Sequence, residues 1–408
     1  MDKRLTDLAL GVTVAATASV GTRVIMQATT TGWASGLTEP LIAALVGVVA
    51  GGWLAKRGWA RWAVTAGLGV AAVLLLGNAY TKIEFFGQLM VHGAPFLAAA
   101  VAFGAVLVQA VAPLPKTRRP NVAALGACWG GAVLGTMLAS AWLEAHVAGQ
   151  LFVWIAAAGF LTSLVPSPFE NVRKRPVDPG AGPLLVLLGG IAVLSAVGPL
   201  IQPIRPASAA DLMILYIGFA ALAGYTLYAA GRCRGVALAG VGVLGVVVLG
   251  TSVQLTAQLQ RIKLEGIGTA FAVAGLLGLV SAVAAALAPD RFRRPLLVIG
   301  PAVTLLGLLA TLDIGGKPRF ALWAIVLIAI GAGATAGAGL PDMNRTTAVL
   351  AGGLLVAAVA IGVKLAQGIR VLSLLTGGTP GGVMMHWSVP CAVMLAVAGY
   401  VGYQRRRG

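Results

Sequence analysis

Long apolar runs, each about the length of a membrane crossing, follow one another along the chain, separated by short polar breaks. A bilayer core about 30 Å thick takes roughly 20 apolar residues of helix. Fourteen stretches meet that length: 5–28, 36–55, 59–80, 87–112, 121–143, 148–166, 182–204, 210–231, 235–258, 265–288, 295–313, 319–340, 345–368 and 381–404. The breaks carry Pro, Gly and charge, as in Pro113-Leu114-Pro115-Lys116-Thr117-Arg118-Arg119-Pro120. The pattern predicts an all-α polytopic membrane protein of about 14 transmembrane helices, leaving no room for a soluble domain. Several runs exceed the minimum length, which allows tilt but sets no angle.

Composition removes the alternatives. Of 408 residues, 59% are hydrophobic and 10% charged, and mean hydropathy is +0.93. A soluble domain carries about 25% charged residues and could not bury this much apolar surface. The formal net charge of +17 resembles a nucleic-acid footprint only until the cations are placed. With the N-terminus in the cytoplasm, 20 of the 29 Lys and Arg fall on cytoplasmic segments: Lys3, Arg4; Lys56, Arg57, Arg61; Lys116, Arg118, Arg119; Arg173, Lys174, Arg175; Arg232, Arg234; Arg291, Arg293, Arg294; Arg345; Arg405, Arg406 and Arg407. The outer side carries 8, and Arg23 lies within the first span. Such a bias sets topology, so both N- and C-termini are expected in the cytoplasm and a multi-pass position in the plasma membrane follows. Trp53, Trp59 and Trp62 at inner interfaces, and Trp33, Trp142, Trp154 and Trp323 at outer ones, make an aromatic belt. The first run is too long for a cleaved signal and reads as a retained helix.

Several chemistries leave no trace. There is no G-x-x-x-x-G-K-[ST] and no H-E-x-x-H, and Cys128, Cys233 and Cys391 are scattered and odd in number. No cofactor, metal site, disulfide framework or catalytic residue is expected, and the chain does not read as an enzyme. Its expected partners are a small-molecule substrate, the lipid bilayer and, as a candidate, protons. No nucleic acid is expected, and a monomer is.

Two loops stand out. Gly51-Gly52-Trp53-Leu54-Ala55-Lys56-Arg57-Gly58-Trp59-Ala60-Arg61 joins spans two and three, and Ala286-Leu287-Ala288-Pro289-Asp290-Arg291-Phe292-Arg293-Arg294 follows span ten. The first resembles the G-x-L-a-D-R-x-G-R signature of the major facilitator superfamily at the position where that family carries it, with Lys56 in place of the acid. The second is a degenerate copy that keeps the acid as Asp290. Gly126-Ala127-Cys128-Trp129-Gly130-Gly131 in span five is similar to the small-residue fifth-helix motif of the family's exporters, with Ala127 in place of Pro. Ile330-Gly331-Ala332-Gly333-Ala334 looks like a glycine-rich fourth helix of a second half. The resemblance implies Gly52, Lys56, Arg57, Asp290 and Arg291 as cytoplasmic gate-loop residues, and Gly126, Gly130 and Gly131 as close helix-packing positions. Counting outward from the loops implies an N-terminal six-helix bundle over 1–166 and a loop with two extra helices over 167–234. A C-terminal six-helix bundle then occupies 235–408. This is the layout of the fourteen-helix drug:proton antiporter-like branch; placing the extra pair at the C-terminus is the alternative.

In such a fold the substrate passes between the halves near the midplane. Span one carries Arg23 and Gln27 on one face, four residues apart; span nine carries Gln254, Gln258 and Arg261 at helical spacing. Glu39, at the outer start of span two, is a candidate partner for Arg23. A charge within the membrane is costly and marks a functional position. None of the twelve acids falls at a span centre, so coupling to protons would rest on Asp7, Glu39, His92 or His386. The reading is a secondary active transporter, an exporter of a small hydrophobic or amphipathic compound working by alternating access. The alternatives are a lipid-linked precursor flippase, which would want several central cations, and a transporter-like membrane scaffold or sensor without transport.

Overall fold

The structure, a computed structural model, describes residues 3–35, 39–80, 94–109, 119–140, 145–165, 183–184, 186–187, 209–259, 267–310, 318–339, 361–362, 365–366, 369 and 380–407. Among these residues it is helical, without a strand. The helices are α1 (Lys3–Ser35), α2 (Glu39–Lys56), α3 (Ala60–Tyr80), α4 (Ala94–Gln109), α5 (Arg119–Ser140), α6 (Ala145–Ser163), α7 (Ala209–Ala230), α8 (Arg234–Leu259), α9 (Ile267–Leu287), α10 (Asp290–Ala310), α11 (Pro318–Gly339) and α12 (Pro380–Arg407). Each falls on one predicted span. The spans over 182–204 and 345–368 lie largely outside the described residues.

Three described stretches combine the length and hydropathy needed to cross a bilayer: Arg4–Arg23, Met213–Ala230 and Gly268–Leu287. Shorter apolar stretches lie at Val46–Ala55, Ala60–Leu76, Gly126–Ala139, Leu151–Ser163, Val236–Thr251 and Trp323–Gly339. Large apolar side chains such as Val49, Val73, Trp154, Ile217, Val280 and Trp323 point outward. In water such exposure would be a liability; in lipid it is the expected solvent-facing surface.

Glycine decides how closely the helices approach. Each Gly in a helix costs about 1 kcal/mol relative to Ala, and in lipid that cost is offset by backbone-to-backbone packing. Gly47 of α2 faces Leu97 and Ala100 of α4, and Gly51 faces Val101 and Ala105. The two helices therefore run side by side in the same direction. Gly131 and Gly135 of α5 lie on Ala15 and Ser19 of α1, again in parallel. Thr13 of α1 meets Thr162 at one end of α6, while Arg23, further along α1, meets Phe152, so α6 runs antiparallel to α1.

Two of these arrangements recur later in the chain. The Ser19 hydroxyl donates to the Gly131 carbonyl at 3.0 Å, 112 residues away. The Thr251 hydroxyl of α8 donates to the Gly362 carbonyl at 3.0 Å, 111 residues away. Likewise Gly104 of α4 lies against Val48 of α2, and Gly337 of α11 lies against Ala282 of α9.

The buried apolar residues fall into two clusters. One gathers Leu10, Val14, Leu68, Ala100, Cys128, Leu138 and Phe152 from α1, α3, α4, α5 and α6. The other gathers Phe219, Val247, Phe271, Leu297, Ile328 and Trp387 from α7 to α12, and includes Leu184. Helix α5 contributes to both. Cys128, Leu134 and Leu138 face the first cluster, and Trp129, Val133 and Met137 face the second.

Candidate functional site

The turn after α2 follows from its sequence. Gly58 has φ 86°, a left-handed conformation that only Gly adopts cheaply. Gly58 N–H donates to Ala55 O at 3.0 Å and Trp59 N–H to Leu54 O at 3.0 Å. These two bonds cap the last turn of α2 in the Schellman pattern, and α3 begins at Ala60. The Arg57 guanidinium lies 4.3 Å over the Trp53 ring. Arg61 Nη2 donates to Leu164 O at 3.1 Å, just beyond the end of α6. Lys56 ends α2, with its side chain outside the described residues. Gly52 is half-buried; its neighbour Gly51 lies against the backbone of Val101 and Ala105 on α4.

The second loop is built differently. Pro289 closes it and Asp290 opens α10, an acid at a helix N-terminus where the macrodipole favours it. Phe292 and Arg293 N–H groups both donate to Pro289 O, at 2.9 and 3.2 Å. Asp290 pairs with the largely buried Arg293, and the exposed Arg291 lies 4.7 Å over the Phe292 ring.

The glycines of α5 form the meeting line of the two clusters. A Cβ at Gly126 would lie 3.0 Å from Val283 Cα, and one at Gly130 would lie 2.7 Å from Leu279 Cα. Gly278 and Gly275 of α9 answer them, facing Val133 and Leu134. Positions that rise along α5 meet positions that fall along α9, so these helices cross antiparallel at backbone contact. Gly131, the last residue of the motif, faces α1 instead. Trp129 reaches α8, its ring 3.1 Å from where a Cβ on Gly242 would stand.

Helix α1 carries a line of buried hydroxyls. Thr13 and Thr17 donate to carbonyls one turn back, Thr13 also meets the Thr162 hydroxyl at 2.9 Å, and Ser19 bonds α5. Beyond them Arg23 lies with its guanidinium 3.8 Å over the Phe152 ring of α6. Its Nη1 is buried without a hydrogen-bond partner, as is the hydroxyl of Thr22 beside it. No carboxylate pairs with Arg23 among the described residues. The aromatic face offsets part of the cost of burying this cation, and an unmatched guanidinium nitrogen in an apolar setting attracts an anion.

The remaining candidates are scattered in what can be described. Gln27, Glu39, Gln254 and Gln258 lie on α1, α2 and α8 with side chains outside the described residues, and Arg261 and His92 lie outside them altogether. Asp7 is half-buried near the start of α1. His386 sits on α12, its backbone carbonyl accepting the Tyr216 hydroxyl of α7 at 2.8 Å. Among the described residues no three His, Cys, Asp or Glu are grouped as a metal site would need. Sequence reasoning missed Phe152, Gly278 and Leu279, because only the packing of distant helices brings them to Arg23 and to the α5 glycines.

No family model matches the sequence, and no curated protein matches it. Solved structures do match its fold. A proton-dependent oligopeptide transporter aligns over 100% of both chains with a TM-score of 0.56 at 12% identity. An auto-inhibited POT family peptide transporter aligns over 99% of this chain and 97% of its own, with a TM-score of 0.53 at 15% identity. The human organic anion transporter MFSD10 aligns over 98% of this chain and 100% of its own, with a TM-score of 0.51 at 14% identity. This is the fold of the major facilitator superfamily transporters. The major facilitator fold accounts for the helical architecture of the described residues, and the bilayer-length apolar helices with an apolar outer surface are those of a membrane protein.

Proposed function

We propose that the chain is a secondary active transporter in which residues 1–166 and 235–408 form two bundles that rock about the α5–α9 seam. Residues 167–234 form an inserted element. The observation that carries this reading is the seam itself: glycines of α5 lie against Leu279 and Val283 of α9, and glycines of α9 against Val133 and Leu134 of α5, between two separately packed apolar clusters. Each cluster packs mainly within itself on either side of that line, which suits a shift of the two sides as rigid bodies. The recurrence of the Ser19–Gly131 bond as Thr251–Gly362 supports the division into two related bundles. Helix α7 packs against α8 and α12, which attaches the inserted element to the second bundle.

The substrate is a small hydrophobic or amphipathic compound, moved outward through the plasma membrane. The export direction rests on the likeness of the α5 motif to exporter helices. Arg23, with its open Nη1 against Phe152, is the position that reads substrate charge, and Gln27, Glu39, Gln254, Gln258 and Arg261 line the same path. Proton coupling, if used, falls to Asp7, Glu39, His92 or His386. Accumulation of lipophilic test compounds in everted vesicles, with and without a proton uncoupler, tests the reading. Uptake that the uncoupler abolishes, and that Arg23→Ala and Glu39→Gln each reduce, is expected. Uptake insensitive to the uncoupler sinks proton antiport, and no uptake of any compound sinks transport.

A further inference from the structure

The two basic loops meet the membrane face with different chemistry. In the second, Asp290 neutralises Arg293 within the loop. In the first, Lys56 stands at the acid's position, and no Asp or Glu occurs between Glu39 and Glu84. The cations of this hairpin therefore have no carboxylate of their own. Arg57 rests on an indole and Arg61 on a backbone carbonyl at the end of α6, so both guanidinium groups are held in place, and among the described residues neither pairs with a carboxylate.

Around them the surface is indole and aliphatic. Trp53 is 53% exposed, Trp59 62% and Trp62 72%, with Leu161 and Leu164 of the adjoining α6 end also exposed. Three indoles within ten residues, all turned outward at one end of a helical hairpin, suit the depth where acyl chains give way to headgroups. There each ring's apolar body is dry and its N–H is wet. Anchored guanidinium groups at that depth are complementary to phosphate. The positive-φ turn at Gly58 sets the hairpin tightly enough to keep rings and cations in one patch. The charge bias of the sequence puts this patch at the cytoplasmic face, where the leaflet is anionic.

We propose that the α2–α3 turn, with the adjoining end of α6, is a binding site for an anionic glycerophospholipid. Arg57 and Arg61 hold its phosphate, and Trp53, Trp59 and Trp62 hold its glycerol and upper acyl region. A net negative headgroup, as in phosphatidylglycerol, is selected over a zwitterionic one because the hairpin has no acid to receive a headgroup ammonium.

Brominated lipids, which quench indole fluorescence on contact, read this directly. The full-length protein is placed in mixed micelles titrated with brominated phosphatidylglycerol or brominated phosphatidylcholine. The Trp53→Phe/Trp59→Phe/Trp62→Phe variant is run in parallel to isolate the hairpin signal. Hairpin quenching is expected at roughly tenfold lower mole fraction of the anionic lipid, and Arg57→Gln/Arg61→Gln should abolish that preference. Because Arg61 also ties α3 to α6, Arg57→Gln alone serves as the milder variant and should reduce the preference about threefold. Equal quenching by the two lipids overturns the proposal, and so does a preference that survives in both variants.

Discussion

Gly130 and Gly131 are neighbours in one motif, yet they face different parts of the molecule. Successive residues on a helix point about 100° apart, and here that rotation separates the two apolar clusters. Gly131 lies on Ala15 and Ala18 of α1, within the first cluster. Gly130 lies on Leu279 of α9, across the line between clusters. The same residue type thus serves two purposes. Inside a bundle the missing side chain lets two backbones lock together. Between the clusters it brings α5 and α9 to close range, at the line along which the proposed bundles would move.

The largest effect is expected on the locked side. A side chain at Gly131 runs into the Ala15 carbonyl and its Cα, which are backbone atoms with no room to yield. Gly131→Val should cost about 3 kcal/mol or more, read as loss of monodisperse protein and a sharply lower melting temperature in detergent. A variant that melts normally would mean that α1 and α5 are not held as rigidly as their contact implies. On the sliding side Gly130→Val also meets backbone, the Cα and carbonyl of Leu279, but the helix it strikes belongs to the other cluster and, on the proposed mechanism, can back away along the seam. This variant should fold with a modest loss of about 1 kcal/mol but transport at least about tenfold more slowly. Equal folding defects in the two variants would erase the distinction.

Arg23 tests the proposed path rather than the seam. Among the described residues its Nη1 has no hydrogen-bond partner, and its guanidinium rests on the Phe152 ring. Arg23→Met should therefore leave melting within about 1 kcal/mol of the parent, because lost cation–π attraction and relieved desolvation nearly cancel. Vesicle transport by the same variant should fall. A large drop in stability with transport per folded molecule intact would make Arg23 a structural stack. The smallest effects probe the repeat. Ser19→Ala and Thr251→Val each remove one hydroxyl-to-glycine-carbonyl bond and should cost about 1 kcal/mol, by similar amounts in the two halves. A cost confined to one of them would show that the two bonds are not equivalent.

Much of the helical layout is legible in the chain before folding is considered. Every described helix falls on a predicted span, because a bilayer demands internally satisfied backbone and enough length to cross. The loop motifs were also legible, though the details moved. Within the first motif the structure adds a close approach to α4 at Gly51 and a left-handed turn at Gly58. A motif gives spacing, but which glycine touches a neighbour depends on the rotation of the helix about its axis. Phe152 beneath Arg23 was invisible for a similar reason. It is one apolar residue among many, distinguished only by the antiparallel packing of α6 on α1.

What the sequence determined alone was the solvent. Its hydropathy, its scarce charges and the bias of its cations specify a membrane protein and the positions of its crossings, since these depend on composition and length. What only the tertiary structure decided was the division of labour among identical residues. Whether a glycine meets a helix of its own cluster or of the other, and whether an arginine reaches a distant carbonyl or a buried phenyl ring, is set by contacts between helices far apart in the chain. Local pattern carries no record of those contacts.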